Sequence, residues 1–173
     1  MVSESSLGQF ARAIPPRGRY RHGFRIVEEY SRVKDETTVR VDVGRIRYGQ
    51  RGQVACIYTH QGSSPCPPRG VVIPIVSETA SWRYRNYADA GYVTLTWLLN
   101  GNSRINVDSS NLQWDGSVLR GYVVELVYWY ATLDEFLQLV NANTIEFCLC
   151  NDELVVSKKN LEALRDAASR MRP

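Results

Sequence analysis

Alternating apolar and polar residues run through most of residues 24–130 and predict a body built from β-strands. The clearest strand covers residues 37–48, where the alternation shifts by one residue at Gly44, a change that predicts a β-bulge. Residues 92–99 put apolar side chains on one face and threonines on the other, which is typical of a strand with one buried face. The dipeptide Asn100-Gly101 then predicts a tight hairpin turn.

Two further strand predictions depend on a proline and on a turn dipeptide. The apolar run at residues 71–77 contains Pro74, which cannot donate a ladder hydrogen bond, so we expect an edge strand or a bulge there. The dipeptide Asp115-Gly116 predicts a turn into a strand over residues 118–130. Because that strand is apolar on both faces, we expect it to be central and covered on both sides.

The pattern becomes helical after residue 131. Thr132 and Glu135 have the spacing of a capping box, and the apolar residues that follow repeat at helical intervals. A strand is predicted over residues 144–150, and Ser157 is placed to cap a last helix. The tail over residues 118–171 therefore has the order β-α-β-β-α.

These elements predict an α+β domain that is mainly β. We expect an antiparallel β-sandwich or a strongly bent sheet, with two C-terminal helices packed on it. A chain of 173 residues has the length of one domain. We assign residues 1–20, which contain Pro15, Pro16 and Gly18, to a flexible N-terminal arm. Residues 21–173 form the single β-rich domain, with its β body at residues 24–130.

Charge gives little support to a nucleic-acid partner, because the net charge is only +3. Apart from Lys34, Lys158 and Lys159, all 21 basic residues are arginine. Arginine suits interfaces, although a GC-rich coding sequence produces the same bias. No apolar run is long enough to span a bilayer. The opening residues lack the plan of a secretory signal, which favours the cytoplasm, or export if a leader has been trimmed.

The four cysteines are too few for a disulfide scaffold, yet one pair is suitably placed. Cys56 and Cys66 flank a loop rich in serine and proline, so a disulfide between them is geometrically feasible. Cys148 and Cys150 share a strand face and are expected to be free thiols. Together with His60 and Cys66 they offer suitable zinc ligands, but Cys-x-Cys is not the usual spacing. We therefore expect no metal and no other cofactor.

Candidate catalytic residues are scarce. His22 and His60 are the two histidines, and neither lies in a recognised catalytic motif. The adjacent acids Asp134 and Glu135 are better explained as favourable charge at the start of a helix. We therefore lean against an enzyme, and keep as an alternative a small hydrolase whose carboxylates come from separate strands.

The aromatic residues are the strongest candidates for a binding site. In Trp82-Arg83-Tyr84-Arg85 rings alternate with cations, so on a strand the two rings share one face and the two arginines share the other. Trp114 lies within the predicted turn at residues 111–116, where a large ring is less easily buried. Exposed rings in a row would stack sugars or bases, or anchor a protein partner. The competing interpretation places Trp82 and Tyr84 in the core of the sheet.

Several short motifs resemble an uncharacterised bacterial β-rich domain over residues 30–170. They are an aromatic-x-Arg frame ahead of Asp-x-Thr-Thr-Val at 30–39, Pro-Cys-Pro-Pro at 65–68, Trp-Arg-Tyr at 82–84, Asn-Ala-x-x-Ile-Glu-Phe at 141–147 and Leu-x-x-Leu-Arg at 161–165. The resemblance implies a single domain, and many such proteins are exported. It supplies no activity, cofactor or site residue.

The sequence therefore favours a non-catalytic binding or assembly protein that acts through protein–protein contacts, with a protein partner or self-association expected. The main alternative is a carbohydrate-binding module that uses exposed tryptophan and tyrosine rings.

Overall fold

The computed structural model describes residues 13–42 and 49–172, so the bulge predicted at Gly44 lies outside the described residues. Within these segments the chain forms eleven β-strands and three α-helices. The strands are β1 Arg25–Ser31, β2 Glu36–Asp42, β3 Gln53–Val54, β4 Ile57–Gln61, β5 Gly70–Thr79, β6 Leu95–Leu99, β7 Ser103–Asn106, β8 Leu112–Leu119, β9 Tyr122–Thr132, β10 Ile145–Leu149 and β11 Asp152–Val155. The helices are α1 Arg85–Asp89, α2 Leu133–Asn141 and α3 Lys158–Ser169.

The described strands form two antiparallel sheets. The large sheet has the order β1-β2-β4-β5-β9-β8, and the short β3 pairs with β5 on the side that β4 also uses. The small sheet has the order β11-β10-β6-β7. Alternate residues of the large sheet are buried, among them Val39, Ile73, Val127 and Trp129, and they define its inner face.

The small sheet and two helices pack side by side on that inner face. The rings of Trp97 and Trp129, one from each sheet, lie 5.5 Å apart between centroids, and Phe147 lies 4.8 Å from Trp97. Beside them α3 is tied to the large sheet, because the Tyr58 hydroxyl donates to the carbonyl of Ala167 at 2.8 Å. The predicted fold class is confirmed: the domain is α+β and mainly β, with two C-terminal helices on antiparallel sheets.

Both C-terminal helices begin where the sequence predicts. The Thr132 hydroxyl accepts from the N–H of Glu135 at 3.2 Å, and the Glu135 carboxylate accepts from the N–H of Thr132 at 2.7 Å, which completes the capping box. The Ser157 hydroxyl accepts from the N–H of Asn160 at 3.2 Å. None of the described helices is long and apolar enough to cross a membrane.

The edge position predicted for the proline-containing strand is wrong. β5 pairs with β9 along its whole length and with β3 and β4 on its other side. The Pro74 carbonyl accepts from the N–H of Ala55 at 3.0 Å, in the gap between β3 and β4. In an antiparallel strand the nitrogen of a residue faces the same side as its carbonyl, so Pro74 places its missing N–H at this gap. Because β3 and β4 keep one register against β5 across residues 55–56, the sheet loses only the hydrogen bond that Pro74 cannot donate.

One of the two predicted hairpin turns is correct. Asn100 and Gly101 have φ of 53° and 72° and connect β6 to β7. In contrast, β8 runs straight through Asp115-Gly116, and the turn into β9 is made by Arg120-Gly121, with φ of 52° and 83°. Arginine is an unusual residue for a left-handed conformation, so the sequence gives this turn a weak signal.

The described end of the predicted N-terminal arm, residues 13–20, is anchored to the C-terminal end of α3. The Ile14 side chain is 1% exposed, and its carbonyl accepts from Nε of Arg172 at 3.0 Å. In return Arg17 donates to the carbonyl of Arg172 at 2.8 Å. Just beyond the arm, Nε2 of His22 lies 3.1 Å from the Asp166 carboxylate. These contacts add a further layer of chain against the helices.

Candidate binding surfaces

Three of the five predicted binding residues meet at one corner of the molecule, between β5 and β8. Residues 80–84 form a loop that leads into α1, so the strand expected here is not formed. Trp82 and Trp114 are half-buried and tilted against each other, with centroids 5.9 Å apart. The guanidinium of Arg85 lies 5.1 Å from the centroid of the Trp82 ring, which is a cation–π contact. We call this group the tryptophan corner.

The remaining two predicted residues serve a different contact. Tyr84 is 2% exposed and belongs to the core. Its hydroxyl donates to Oδ2 of Asp152 at 3.0 Å, while Nε and Nη2 of Arg83 donate to the same carboxylate at 2.9 Å each. Because Asp152 begins β11, this bidentate pair joins the large sheet's loop to the small sheet.

A buried carboxyl group holds the tryptophan corner to β9. Glu125 is 1% exposed and accepts from the backbone N–H groups of Arg83 and Tyr84, both at 2.8 Å, and from the indole N–H of Trp114 at 3.3 Å. Sequence reasoning missed this residue. The available signal was a glutamate at an inward position, between Val123 and Val127, on a strand whose inward residues are otherwise apolar or small.

The Asp152 contacts predict a pH-dependent contribution to stability. Hydrogen bonds from Arg83 are the main cause that lowers the pKa of Asp152 below its ordinary 3.8. A carboxylate with a lowered folded pKa stabilises the fold above its unfolded pKa, and that stabilisation is lost as pH falls through the folded value.

We therefore expect the free energy of unfolding of the wild type to exceed that of Asp152→Asn by about 1 kcal/mol at pH 6. The difference is small because Arg83 is partly exposed and solvent screens the ion pair. The difference should shrink below about pH 4. Urea unfolding of both proteins between pH 2.5 and 7 measures it. A difference that is the same at every pH would contradict this role for Asp152.

A glycine makes room for the tryptophan pair. A Cβ atom at Gly116 would lie 2.5 Å from Cζ3 of Trp82 and 2.7 Å from Cζ2 of Trp114. Gly116→Ala should therefore destabilise the protein by about 1–3 kcal/mol and shift its tryptophan emission. Gly18→Ala is the matched control, because its Cβ would meet nothing closer than 4.0 Å. Equal unfolding midpoints for the two variants would show that the rings move aside at no cost.

A groove of about 350 Å³ opens beside Trp114, between the end of α1 and β8. Its walls combine apolar side chains with groups that form hydrogen bonds: Ala88, Val93, Leu112 and Trp114 on one hand, and Asp89, Ser109 and Gln113 on the other. The volume lies within the range of small-molecule sites. An aromatic ring next to hydroxyl, amide and carboxylate groups has the chemistry to bind a sugar.

The outer face of the large sheet is a second candidate surface. The predicted central position of the strand at 118–130 is confirmed, since β9 lies between β5 and β8, but the predicted cover on both of its faces is wrong. On β9 the inward residues are buried, whereas the outward residues are half-exposed or exposed. The described helices and the small sheet lie on the inner face or at the β8 edge. The strand at 118–130 is therefore covered on one side only, within the described part of the chain.

Ten apolar residues lie together on this outer face, and we call them the outer block. Register places Val72 beside Tyr130, Pro74 beside Tyr128, and Val76 beside Leu126. The full set is Ile57, Val72, Pro74, Val76, Leu119, Tyr122, Val124, Leu126, Tyr128 and Tyr130. Tyr122, Tyr130 and Leu119 are exposed, at 39%, 47% and 61%, whereas Pro74 and Val76 are buried.

Charged side chains border the outer block directly, since Asp115 is the cross-strand partner of Leu126 and Glu78 is that of Val124. Arg40 and Glu29, which form an ion pair at 3.5 Å, lie toward the β1 edge. Glu78 lies at the end of β5, and Asp115 lies on the edge strand β8. Partial burial, together with the Asp115 charge, raises the pKa of the Tyr128 phenol. The outer block is therefore an uncharged, tyrosine-rich patch with a polar rim.

A third surface is the outer face of the small sheet. There a groove of about 510 Å³ contains Arg104, Cys148 and two glutamates from adjacent strands, Glu146 on β10 and Glu153 on β11. Since Cys148 pairs with Glu153 and Glu146 pairs with Val155, the two glutamates are diagonal neighbours, about 7–8 Å apart between Cα atoms. These two carboxylates come from separate strands, as the predicted hydrolase arrangement requires, and both are exposed.

The cysteines are all free thiols in the structure. Cys56 is fully buried, which raises the pKa of its thiol, and Cys66 lies in the following loop with its thiol 3.7 Å from the carbonyl of Gln61. The feasible Cys56–Cys66 disulfide is thus not formed. Among the described residues, no group of three or more His, Cys, Asp or Glu side chains is placed to hold a metal ion.

Comparison with known proteins finds no matching family model, no similar curated protein and no matching solved structure. Function is therefore inferred from these surfaces themselves.

Proposed function

We propose that this chain is a non-catalytic binding or assembly protein that acts through protein–protein contacts made by the outer face of its large sheet. The observation that carries the proposal is the outer block, whose β9 residues are half-exposed or exposed on the face away from the described helices and the small sheet, while its β5 members Pro74 and Val76 are buried beside them. Soluble proteins keep such patches small unless they are binding sites.

The composition of the outer block supports a protein partner. Protein interfaces are rich in tyrosine and poor in charge at their centre, with a polar rim around it. Tyr122, Tyr128 and Tyr130 lie along the outer side of β9, and the charges beside this row, Glu78 and Asp115, come from the two neighbouring strands. Tyrosine rings also provide large contact areas at little cost in conformational entropy.

Photo-cross-linking in the cells that produce the chain tests this function. A photoreactive phenylalanine analogue replaces Tyr128, at the centre of the outer block, and in a matched control it replaces Leu98. Leu98 is also half-exposed and apolar, but it lies on the outer face of the small sheet. We expect protein adducts from position 128 that are at least several-fold more abundant than those from position 98. Equal yields, or adducts within the chain alone, would refute the proposal.

Carbohydrate binding is the second candidate, and the groove beside Trp114 favours it. A sugar stacked on this ring would change the tryptophan emission of the protein. Titration with a panel of soluble glycans should then give a saturable change that Trp114→Ala abolishes. The same saturable change in the Trp114→Ala protein would place the sugar outside this groove. No change with any glycan would contradict carbohydrate binding.

A further inference from the structure

We propose that the free edge of β8 binds an extended peptide segment of a partner protein, which joins the large sheet as an added strand. The peptide places apolar side chains beside Trp114 and Val118, on the inner side of this edge. The inference goes beyond the proposed function, because it concerns the edge of the large sheet rather than its outer face. Each surface is tested by its own experiment.

The pairing of β8 with β9 determines which backbone groups face the open edge. Leu119 and Tyr122 flank the two-residue turn and are partners in the ladder, so they exchange hydrogen bonds. Along an antiparallel pair, hydrogen-bonded positions alternate with positions whose backbone groups face away from the partner strand. The residues of β8 that face away from β9 are therefore Leu112, Trp114, Gly116 and Val118.

The position of Pro74 gives the same alternation independently. Its carbonyl accepts from the N–H of Ala55, on the side of β5 that faces away from β9. Because Pro74 is paired with Tyr128, the backbone groups of Tyr128 face away from β5 and toward Gln113 of β8. Trp114, one residue further along, therefore directs its backbone groups to the open edge.

Most of these backbone groups have no hydrogen-bond partner within the described part of the chain. Trp114 and Val118 each present both N–H and C=O, and Gly116 presents its C=O. The N–H of Gly116 donates to Oδ1 of Asp115 at 2.8 Å, and the N–H of Leu112 donates within the preceding turn. An extended chain carries donors and acceptors at the same two-residue spacing, so it is the occupant whose backbone fits this edge.

The other strands at the ends of the two described sheets are protected, whereas β8 is not. Soluble proteins guard edge strands by short length, charge, proline or bulges. β7 and β11 have four residues each, and β1 carries Arg25, Glu28 and Glu29, with Glu28 bound to Arg170 of α3. In contrast, β8 runs for eight residues in one register, and its one charged residue is Asp115.

Side chains next to the edge indicate which peptide it takes. Residues opposite one another on neighbouring strands place their side chains on the same face, about 5 Å apart between Cβ atoms. A peptide residue opposite Trp114 therefore faces the groove beside α1, whose walls include Val93 and Leu112. The peptide residue four positions away lies opposite Val118, which is 62% exposed. We thus expect a segment with two apolar residues four positions apart.

Peptide selection followed by matched variants tests the inference. A phage library of random peptides of about twelve residues is selected on the immobilised full chain, and the dissociation constant of the best binder is measured by fluorescence anisotropy. Val118→Pro removes an edge N–H that takes no part in the pairing with β9, and it should raise the dissociation constant about 10-fold or more. Val118→Thr keeps this N–H and the branched shape, and should change the constant by less than about 3-fold. Thermal unfolding shows whether each variant is folded.

Changes to the peptide give a second test that does not depend on the folding of a variant. N-methyl groups on the peptide residues whose N–H faces β8 should abolish binding, whereas N-methyl groups on the alternate residues should leave it nearly unchanged. Backbone hydrogen exchange, read by NMR, should be rapid at Trp114 and Val118 in the free chain and at least about 10-fold slower with the peptide bound.

The possible outcomes separate the edge from the groove and from the outer face. A library that yields no binder weakened by Val118→Pro overturns the inference, and so does a binder that tolerates N-methyl groups at every position. Because Val118 lies outside the groove, a peptide that Val118→Pro leaves at full affinity uses the groove alone and also overturns it. None of these results changes the expected cross-links from position 128, which test the outer face separately.

Discussion

Replacing Glu125 by alanine should destabilise the protein by about 3–5 kcal/mol. The reason is that three donors lose their acceptor inside the protein: the N–H groups of Arg83 and Tyr84 and the indole N–H of Trp114. A buried group left without its partner costs about 1–3 kcal/mol, and neighbouring groups relax only partly. Denaturant unfolding followed by tryptophan emission measures the loss, since both half-buried tryptophans lie at this corner.

Two further variants sharpen this expectation. Glu125→Gln keeps one carbonyl acceptor but turns an amide N–H₂ toward a donor, so its loss should be smaller than that of Glu125→Ala. Glu146→Ala is the matched control, because Glu146 is an exposed strand glutamate, and it should change stability by less than about 0.5 kcal/mol. If Glu125→Ala unfolds at the same denaturant concentration as Glu146→Ala, the carboxyl group does not hold the corner.

Truncating Ile14 to alanine should cost about 2–4 kcal/mol, the usual loss for a fully buried aliphatic side chain. This result would not be expected of a residue in a free N-terminal arm. Val33→Ala provides the comparison, since Val33 is 98% exposed in the turn between β1 and β2 and should be almost neutral. Calorimetric unfolding of the two variants measures both losses of stability. An Ile14→Ala protein as stable as Val33→Ala would mean that residues 13–20 do not stabilise the helices.

Local patterns were sufficient for much of the fold. The Thr132 capping box, the Ser157 cap and the Asn100-Gly101 turn are each specified by residues within a few positions of one another, and all three form as predicted. Alternation also identified the inward residues of β6, because one face of that strand is apolar and the other is not.

Errors arose where the outcome depends on distant parts of the chain. Pro74 is tolerated in a central strand because only the one hydrogen bond that it cannot donate is lost: its carbonyl still accepts from Ala55, and β5 pairs with β9 along its whole length. The sequence around Pro74 does not show how many neighbours the strand has. The β8–β9 turn uses Arg120-Gly121 although Asp115-Gly116 is the better turn sequence, since the pairing of two long strands decides the position.

The candidate surfaces show the same division. Alternating rings and cations directed attention to Trp82 and Trp114, which the structure brings together. Asp152, which binds Arg83 from 69 residues away, had no local signal. The outer block was visible as an apolar second face on one strand, but apolar residues alone do not tell whether a layer of the same chain covers them. That information lies in the topology.

The most direct test of the protein–protein function compares two tyrosines of the native chain. Tyr130 belongs to the outer block and is 47% exposed, whereas Tyr92 lies outside it and is 72% exposed. Radical labelling, read by mass spectrometry, gives the ratio of modification at Tyr130 to that at Tyr92, first in dilute purified protein, then at rising concentration and in lysate of the source cells. We predict that this ratio falls severalfold at high concentration or in lysate, because a bound protein shields Tyr130. A ratio that stays constant in all three conditions would contradict a protein interface on the outer face.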